Sequence, residues 1–334
     1  MNLILIAATA TAATLGCAPG DAARSTAGLS VTSAQAGQLF EFHSGAWINL
    51  HHILWGQALQ RRHDAGGRDA TAGLDDVDTA VLDEASARIW RQAIDFYAAT
   101  YADRDFTFDD AMADLNNRIS AVREGADIRQ SQLPADLAEI LAQTMPIYRG
   151  QFWPAHDRSN RAWVDEATAY VAHDGAALSR ELARAYHSAW PEVPLRVDVT
   201  RYASWAGAYT TLEPDRLTVA STDPRNHGPD TLECLLHEAS HAIVRPLRDA
   251  LDRELQAQGK SSADLWHAIL FYSTGYVVQR RLGHDYVPYA YKYGLYTRGA
   301  WPTYIAALEQ QWTPYLDGRK SFDAAVHDLV TAIP

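Results

Sequence analysis

Cysteine is almost absent: Cys17 and Cys234 are the only two among 334 residues. If Cys17 carries lipid, Cys234 is the only thiol left and the mature chain has no internal disulfide. Positive charge is also scarce, with 29 Lys and Arg against 41 Asp and Glu and a net charge of −12. That balance excludes a basic nucleic-acid-binding stripe. Past the N-terminus no apolar run is long enough to span a bilayer. There is no G-x-S-x-G elbow, no P-loop and no G-x-G-x-x-G, so the chemistries of those motifs have no support. No internal repeat and no low-complexity tract follows residue 38. What remains is 47% hydrophobic and 21% charged, ample for a globular core in one large domain or two.

The N-terminus differs from the rest. Leu3-Ile4-Leu5-Ile6-Ala7-Ala8 continues apolar or small to Leu15-Gly16-Cys17, a short signal-peptide core. Leu15-Gly16-Cys17 resembles the end of a bacterial lipobox, which implies a lipid anchor at Cys17 and an exported, membrane-anchored lipoprotein facing the periplasm or the cell exterior. Thr14 stands where Leu is usual, and no Lys or Arg precedes the apolar core. Ordinary signal-peptide cleavage is the alternative. The expected organisation is a signal peptide and lipobox at 1–17, an Ala, Gly, Ser and Thr-rich tether at 18–38, a helical N-terminal region at 39–190 and a catalytic region at 191–334.

Helical spacing of apolar residues runs through 40–62, 78–99, 108–122, 134–145 and 159–190, punctuated by Pro146, Pro154 and Pro191. The period then changes. Leu195, Val197 and Val199 alternate with polar neighbours, and 206–212 and 216–221 are two further strand candidates. A polar loop over 222–230 leads into a second helical region, interrupted by an aromatic loop at 284–301. The fold class is therefore α+β, mostly helical, with a small sheet before the helix that carries the motif below.

That motif is His237-Glu238-Ala239-Ser240-His241, an H-E-x-x-H pattern. Leu232, Leu235, Leu236, Ala239, Ile243 and Val244 recur around it at helical spacing, so the segment predicts a buried helix. Asp230 or Thr231 would cap its start and Pro246 would stop it. Residues four apart share a helix face, so His237 and His241 can grip one Zn²⁺, and Glu238 can serve as general base on water bound there. Two histidines and a carboxylate on one buried helix cost free energy without a partner, and a metal supplies one. Cys234, three residues before His237, reads as a small buried hydrophobe.

Strands, then an H-E-x-x-H helix, then a further helix, is similar to the core of the zincin metallopeptidases, in particular the thermolysin-like gluzincins, over about residues 195–280. The resemblance implies a zinc peptidase whose edge strand pairs with extended peptide or protein substrate, and Gly207-Ala208-Tyr209-Thr210-Thr211 is the segment that would do so. It also implies a third ligand on the next helix. Gluzincins supply a Glu in an N-E-x-x-S-D-like helix, and this chain has none. Glu254 lies too close to His241. Ser262 would cap a helix over 263–282 and put His267 in its second turn, so His267 is the expected third ligand and Asp264 the alternative. Three neutral ligands leave the full dication charge on the metal.

Hydrolysis also needs a donor for the developing oxyanion, and Tyr291 in the phenol-rich 285–296 segment is the expected one. His43, His51 and His52 form a second histidine group, expected at the surface or lining a cleft. His156-Asp157 reads as a turn or helix-start pair. The reading is a zinc-dependent metallohydrolase, most simply a peptidase, with Glu238 as base and His237, His241 and His267 on the metal. The rivals are a non-catalytic metal-binding envelope protein and a cell-wall binder using some of the ten Trp and sixteen Tyr.

Overall fold

Phe40 and Phe42 alternate with Glu41 and His43, and these four residues form strand β1 (Phe40–His43), not the first turn of the helix expected from residue 40. The computed structural model describes residues 39–63, 77–107, 109–299 and 301–334, so the signal, lipobox and tether expectations at 1–38, Cys17 included, lie outside the described residues.

Helix α1 (Ala46–His63) follows and is buried on every side from Ala46 to Gly56. Trp47, Ile48, Leu50, Ile53, Leu54, Trp55 and Ala58 are all buried, as expected of a helix enclosed by others rather than lying on a surface. For that reason His51 and His52, expected at a surface or cleft, are both fully buried. His51 pairs through Nδ1 with the Tyr97 hydroxyl at 2.7 Å, and His52 through Nε2 with that of Tyr209 at 2.8 Å. Burial holds both imidazoles neutral, that of His52 down to about 4.

Helices α2 (Glu84–Thr100), α3 (Asp110–Ser120) and α4 (Ala135–Gln151) enclose α1, and Trp90, Tyr97, Met112, Leu141 and Tyr148 join its core. Asp83 and Asp109 cap α2 and α3 through their carboxylates. Pro146 does not stop α4 but lies inside it, between the buried Met145 and Tyr148 whose packing carries the helix through. The expected 159–190 stretch is helix α5 (Trp153–Tyr170), one π turn at Val171–Gly175 and helix α6 (Ala176–Ala185). His156 and Asp157 are in the first turns of α5, where Asp157 accepts from the Ser44 hydroxyl at 2.9 Å.

The three expected strands form as β2 (Leu195–Thr200), β3 (Ala208–Thr211) and β4 (Arg216–Ala220). With β1 they make one four-stranded sheet in the order β1-β2-β4-β3. β1 and β4 run parallel to β2, while β3 runs antiparallel to β4 and is an edge. The two regions divided at 190/191 in sequence thus share a sheet, and the described residues fall in one compact unit.

Helix α7 (Pro229–Ser240) packs between this sheet and the C-terminal helices. Cys234, Leu235 and Ala239 face the strand core of Val197, Val199, Leu217 and Val219. Leu232 and Leu236 face α8 (Arg245–Ala257), α9 (Leu265–Leu282) and the C-terminal helix Phe322–Ala332. Every residue from Asp230 to Ser240 is buried, so each polar one must find a partner inside the protein.

Its start departs from expectation. Gly228 is the cap residue at φ 62°, a left-handed conformation that favours glycine, and Pro229 opens the first turn. Asp230 is already helical and pairs with Lys292 at 2.5 Å, while the Thr231 hydroxyl donates to the Asn226 carbonyl at 2.7 Å. The end departs too. Pro246 begins α8 and does not stop α7. The stop comes earlier, where the ladder tightens to three-residue bonds, His241 N–H to Glu238 O (3.2 Å) and Ala242 N–H to Ala239 O (3.1 Å). Among the described residues no helix is long and apolar enough to cross a membrane. The fold is α+β and mostly helical.

Candidate metal centre

α7 carries His237 in its last turn and His241 at its C-cap. α9 brings the third imidazole. The Ser262 hydroxyl accepts the Leu265 N–H at 3.2 Å, so the helix starts at Leu265 and His267 is in its first turn, one turn earlier than the sequence spacing indicates. The three side chains converge, each offering a ring nitrogen within 4.8 Å of the others. The Nε2 atoms of His237 and His267 are 3.4 Å apart. Two nitrogens at about 2.0–2.1 Å from a tetrahedral zinc are separated by about 3.3–3.4 Å, so this edge already has the length a zinc requires.

The electrostatics agree with the geometry. Burial drives the His237 imidazole well below its ordinary range, with the His241 and His267 rings adding to the effect. Burial first, then His267 and the Arg248 charge, take His241 to about 3, and burial takes His267 to about 4. Three neutral imidazoles with their lone pairs available are the form that binds a cation. Nδ1 of His237 is buried with no hydrogen-bond partner among the described residues. No carboxylate belongs to the group. Asp264, the alternative ligand, is exposed at the α9 cap, and Glu254 is engaged with Gln258 and His327 at the far end of α8. Cys234 is buried and outside the group, as a small hydrophobe would be. Neutral, borderline-soft nitrogen donors with tetrahedral spacing fit Zn²⁺.

Aromatic rings wall the cluster. Phe271 lies 3.8 Å from the His237 ring, Trp266 stacks on His267 at 4.9 Å, and Trp301 meets His267 edge-on at 5.3 Å. Phe271, four residues after His267 on α9, is brought to its face by helix periodicity, whereas Trp266, the preceding residue, reaches it by its ring orientation.

Glu238 lies beside the cluster. Its carboxylate is 8% exposed, and burial raises it to about 7. The opposing influence is a hydrogen bond from Thr210 on the edge strand, whose Oγ1 is 2.7 Å from Glu238 Oε2. Thr210 falls in the segment expected to line the cleft, but nothing in the sequence paired it with Glu238.

Tyr291 is not brought to the cluster. It is 39% exposed and its hydroxyl donates to Glu309 at 2.9 Å, away from the histidines. The phenol whose ring packs on the wall of the cluster is Tyr289, stacked at 5.8 Å on Phe271, which lies against His237. Tyr289 is fixed by a buried carboxylate that sequence reading missed. Glu233, one turn before His237, accepts the Tyr289 main-chain N–H at 3.0 Å and the Tyr286 hydroxyl at 2.5 Å. Its signal was available, since a Glu in the middle of a buried helix demands partners.

Compared with known proteins, the chain matches no family model, no curated protein and no solved structure.

Proposed function

We propose that the protein is a zinc-dependent hydrolase acting on peptide bonds, of the zincin kind that its sequence resembles. The observation that carries this reading is the convergence of three neutral imidazoles, His237 buried and His241 and His267 half-buried, beside a buried carboxylate on the helix that carries the first two. His237, His241 and His267 would hold the metal. Zinc bound there supplies a Lewis acid that polarises a carbonyl and makes water easier to ionise.

The chain's own groups do the rest. Glu238 takes the proton from the attacking water at Oε1, the carboxylate oxygen that Thr210 does not engage, and delivers it to the leaving amine. Burial, which raises this carboxyl in the metal-free protein, would oppose the pull of a bound cation and so favours both halves of that transfer. Thr210 steadies it in either state. The Thr210 hydroxyl donates to Oε2 at 2.7 Å when Glu238 is ionised and can turn to the Glu238 carbonyl at 2.9 Å when it is protonated, leaving the proton on Oε1 free for the leaving amine. Substrate alignment comes from the edge strand. Gly207 accepts the Ala220 N–H, so alternate positions face β4 and the main-chain groups of Ala208 and Thr210 are on the free side. An extended peptide can pair there by strand addition.

Export and lipid anchoring, expected from residues 1–17, would set this hydrolase in the cell envelope. The aromatic-rich cell-wall reading draws little from exposure, because Trp47, Trp55, Trp90, Trp163, Trp301 and Trp312 are core residues and Trp205 is the one exposed Trp.

The test is to load the full-length protein with zinc, measure metal by elemental analysis, and digest an unfolded protein mixture with mass-spectrometric readout. One zinc per chain with chelator-sensitive cleavage supports the reading. Absence of zinc after reconstitution, or cleavage indifferent to the chelator, overturns it.

A further inference from the structure

Arg248 projects from the second turn of α8 and its guanidinium lies 4.7 Å from the centroid of the Trp266 ring. Trp266 in turn stacks on His267 and meets His241 edge-on at 5.6 Å. The side chain is thus held against the wall of the histidine cluster, close enough for its charge to act on His241. It is exposed, and no carboxylate lies within ion-pair distance of it among the described residues. Most guanidiniums here are matched. Arg225, on the Tyr289 side, donates to Asp223 at 2.6 Å and to the Trp205 carbonyl at 2.9 Å. Arg196, Arg280, Arg281 and Arg319 each have an acidic partner. An unmatched, ring-stacked guanidinium beside three neutral ligands leaves a strongly positive rim that only an anion can complement.

We propose that Arg248 is a specificity residue that binds a substrate carboxylate lying next to the scissile bond. The inference rests on the metallopeptidase reading above and adds the substrate class: peptides with a carboxylate at or near the cleavage point, either the chain terminus or an acidic side chain. Arginine suits the task because its planar fork takes a carboxylate through two parallel hydrogen bonds while its face remains on an indole.

The experiment is calorimetric titration of the full-length, zinc-loaded protein with two hydroxamates, so that it reads binding and not turnover. Butyrohydroxamate ends in a methyl group; N-hydroxysuccinamic acid has the same length and ends in a carboxylate. The expected result is binding of the acid about tenfold tighter. In Arg248→Met that preference disappears while affinity for butyrohydroxamate stays the same, and Arg248→Lys recovers part of it. Equal affinity in the wild type, or a preference that survives Arg248→Met, overturns the proposal and leaves the metal site standing. Failure of both hydroxamates to bind overturns the metal reading and this proposal with it. Two further ligands separate the sources: a hydroxamate dipeptide with a free carboxyl terminus, and one with an internal Asp and an amidated terminus. Tighter binding of the first assigns a chain terminus, and of the second an acidic side chain.

Discussion

The hydroxyl of Thr210 stands 2.7 Å from Oε2 of Glu238 and 2.9 Å from the main-chain oxygen of the same residue. A single hydroxyl on the edge strand can therefore serve the carboxyl whichever way its proton sits. Thr210→Val keeps the shape and removes the hydroxyl. The bond now favours the ionised carboxyl, so its loss raises the Glu238 value further. The acid limb of the kcat/KM profile should move to higher pH, with activity near pH 7 reduced about tenfold and zinc content unchanged. Thr210→Ser should restore the wild-type profile. A profile that does not move in the valine variant would remove Thr210 from the mechanism.

Glu238→Gln and His267→Ala separate the base from the ligand. The first should retain one zinc per chain and lose about 10²–10⁴ in turnover, the contribution of a positioned general base. The second should lose zinc or hold it far more weakly, because two imidazoles from one helix do not close a site that takes three protein ligands. Asp264→Ala, at the exposed cap, should behave as wild type in both assays. Elemental analysis and a peptide-cleavage assay on the same preparations decide each case.

How far the site was legible in sequence follows from which parts are local. His237, Glu238 and His241 are fixed relative to each other by helix geometry, so their relation could be read from spacing alone. His267 comes from another helix, and its selection needed the resemblance; the contact itself is tertiary. The strand at 208–211 was legible as a strand candidate, and its edge position came with the resemblance, whereas β1 was lost in the apolar run leading into α1. The bonding of Tyr291 to Glu309 was hidden for a related reason. A run of phenols marks an aromatic loop, but only packing against Phe271 and the demand of Glu233 decide that Tyr289 is the one whose ring lies on the cluster's wall. Burial of His51 and His52 was likewise hidden, since adjacent residues on one helix are both interior only when the helix is enclosed all round.

Glu233 predicts how stability depends on pH. Burial raises its carboxyl to about 7 from 4.5, partly offset by the Tyr286 hydroxyl and the Tyr289 N–H. A folded-state value above the unfolded one means that the folded protein binds the extra proton. The contribution is therefore whole below pH 4.5, falls as pH rises from 4.5 to 7, and leaves a penalty of about 3 kcal/mol above that range. Glu233→Gln keeps an acceptor and removes the titration. Its stability relative to wild type in metal-free protein should rise between pH 5 and pH 8, and taking that difference cancels the opposing slope from the buried histidines. Urea midpoints of both proteins at the two pH values check this; a constant difference would refute it.

Gly275 on α9 tests whether the aromatic loop depends on close approach rather than on the Glu233 bond alone. A methyl group there would lie 2.6 Å from Cβ of Pro288 and 3.0 Å from Glu233 Oε1. Pro288 belongs to the segment that delivers the Tyr289 N–H to Glu233, so the loop must move outward to admit the methyl. Alanine normally strengthens a helix by about 1 kcal/mol over glycine. Here the ring of a proline, closed onto its own backbone, cannot give way as a flexible side chain would, and overpacking of this kind costs about 1–3 kcal/mol. Gly275→Ala should therefore destabilise the protein despite its better helix propensity. Because the displaced loop also releases Glu233, the effects of Gly275→Ala and Glu233→Gln should combine less than additively in the double variant, as for residues sharing one contact. Urea unfolding of the four proteins measures the coupling. Strict additivity would mean that the loop is held elsewhere.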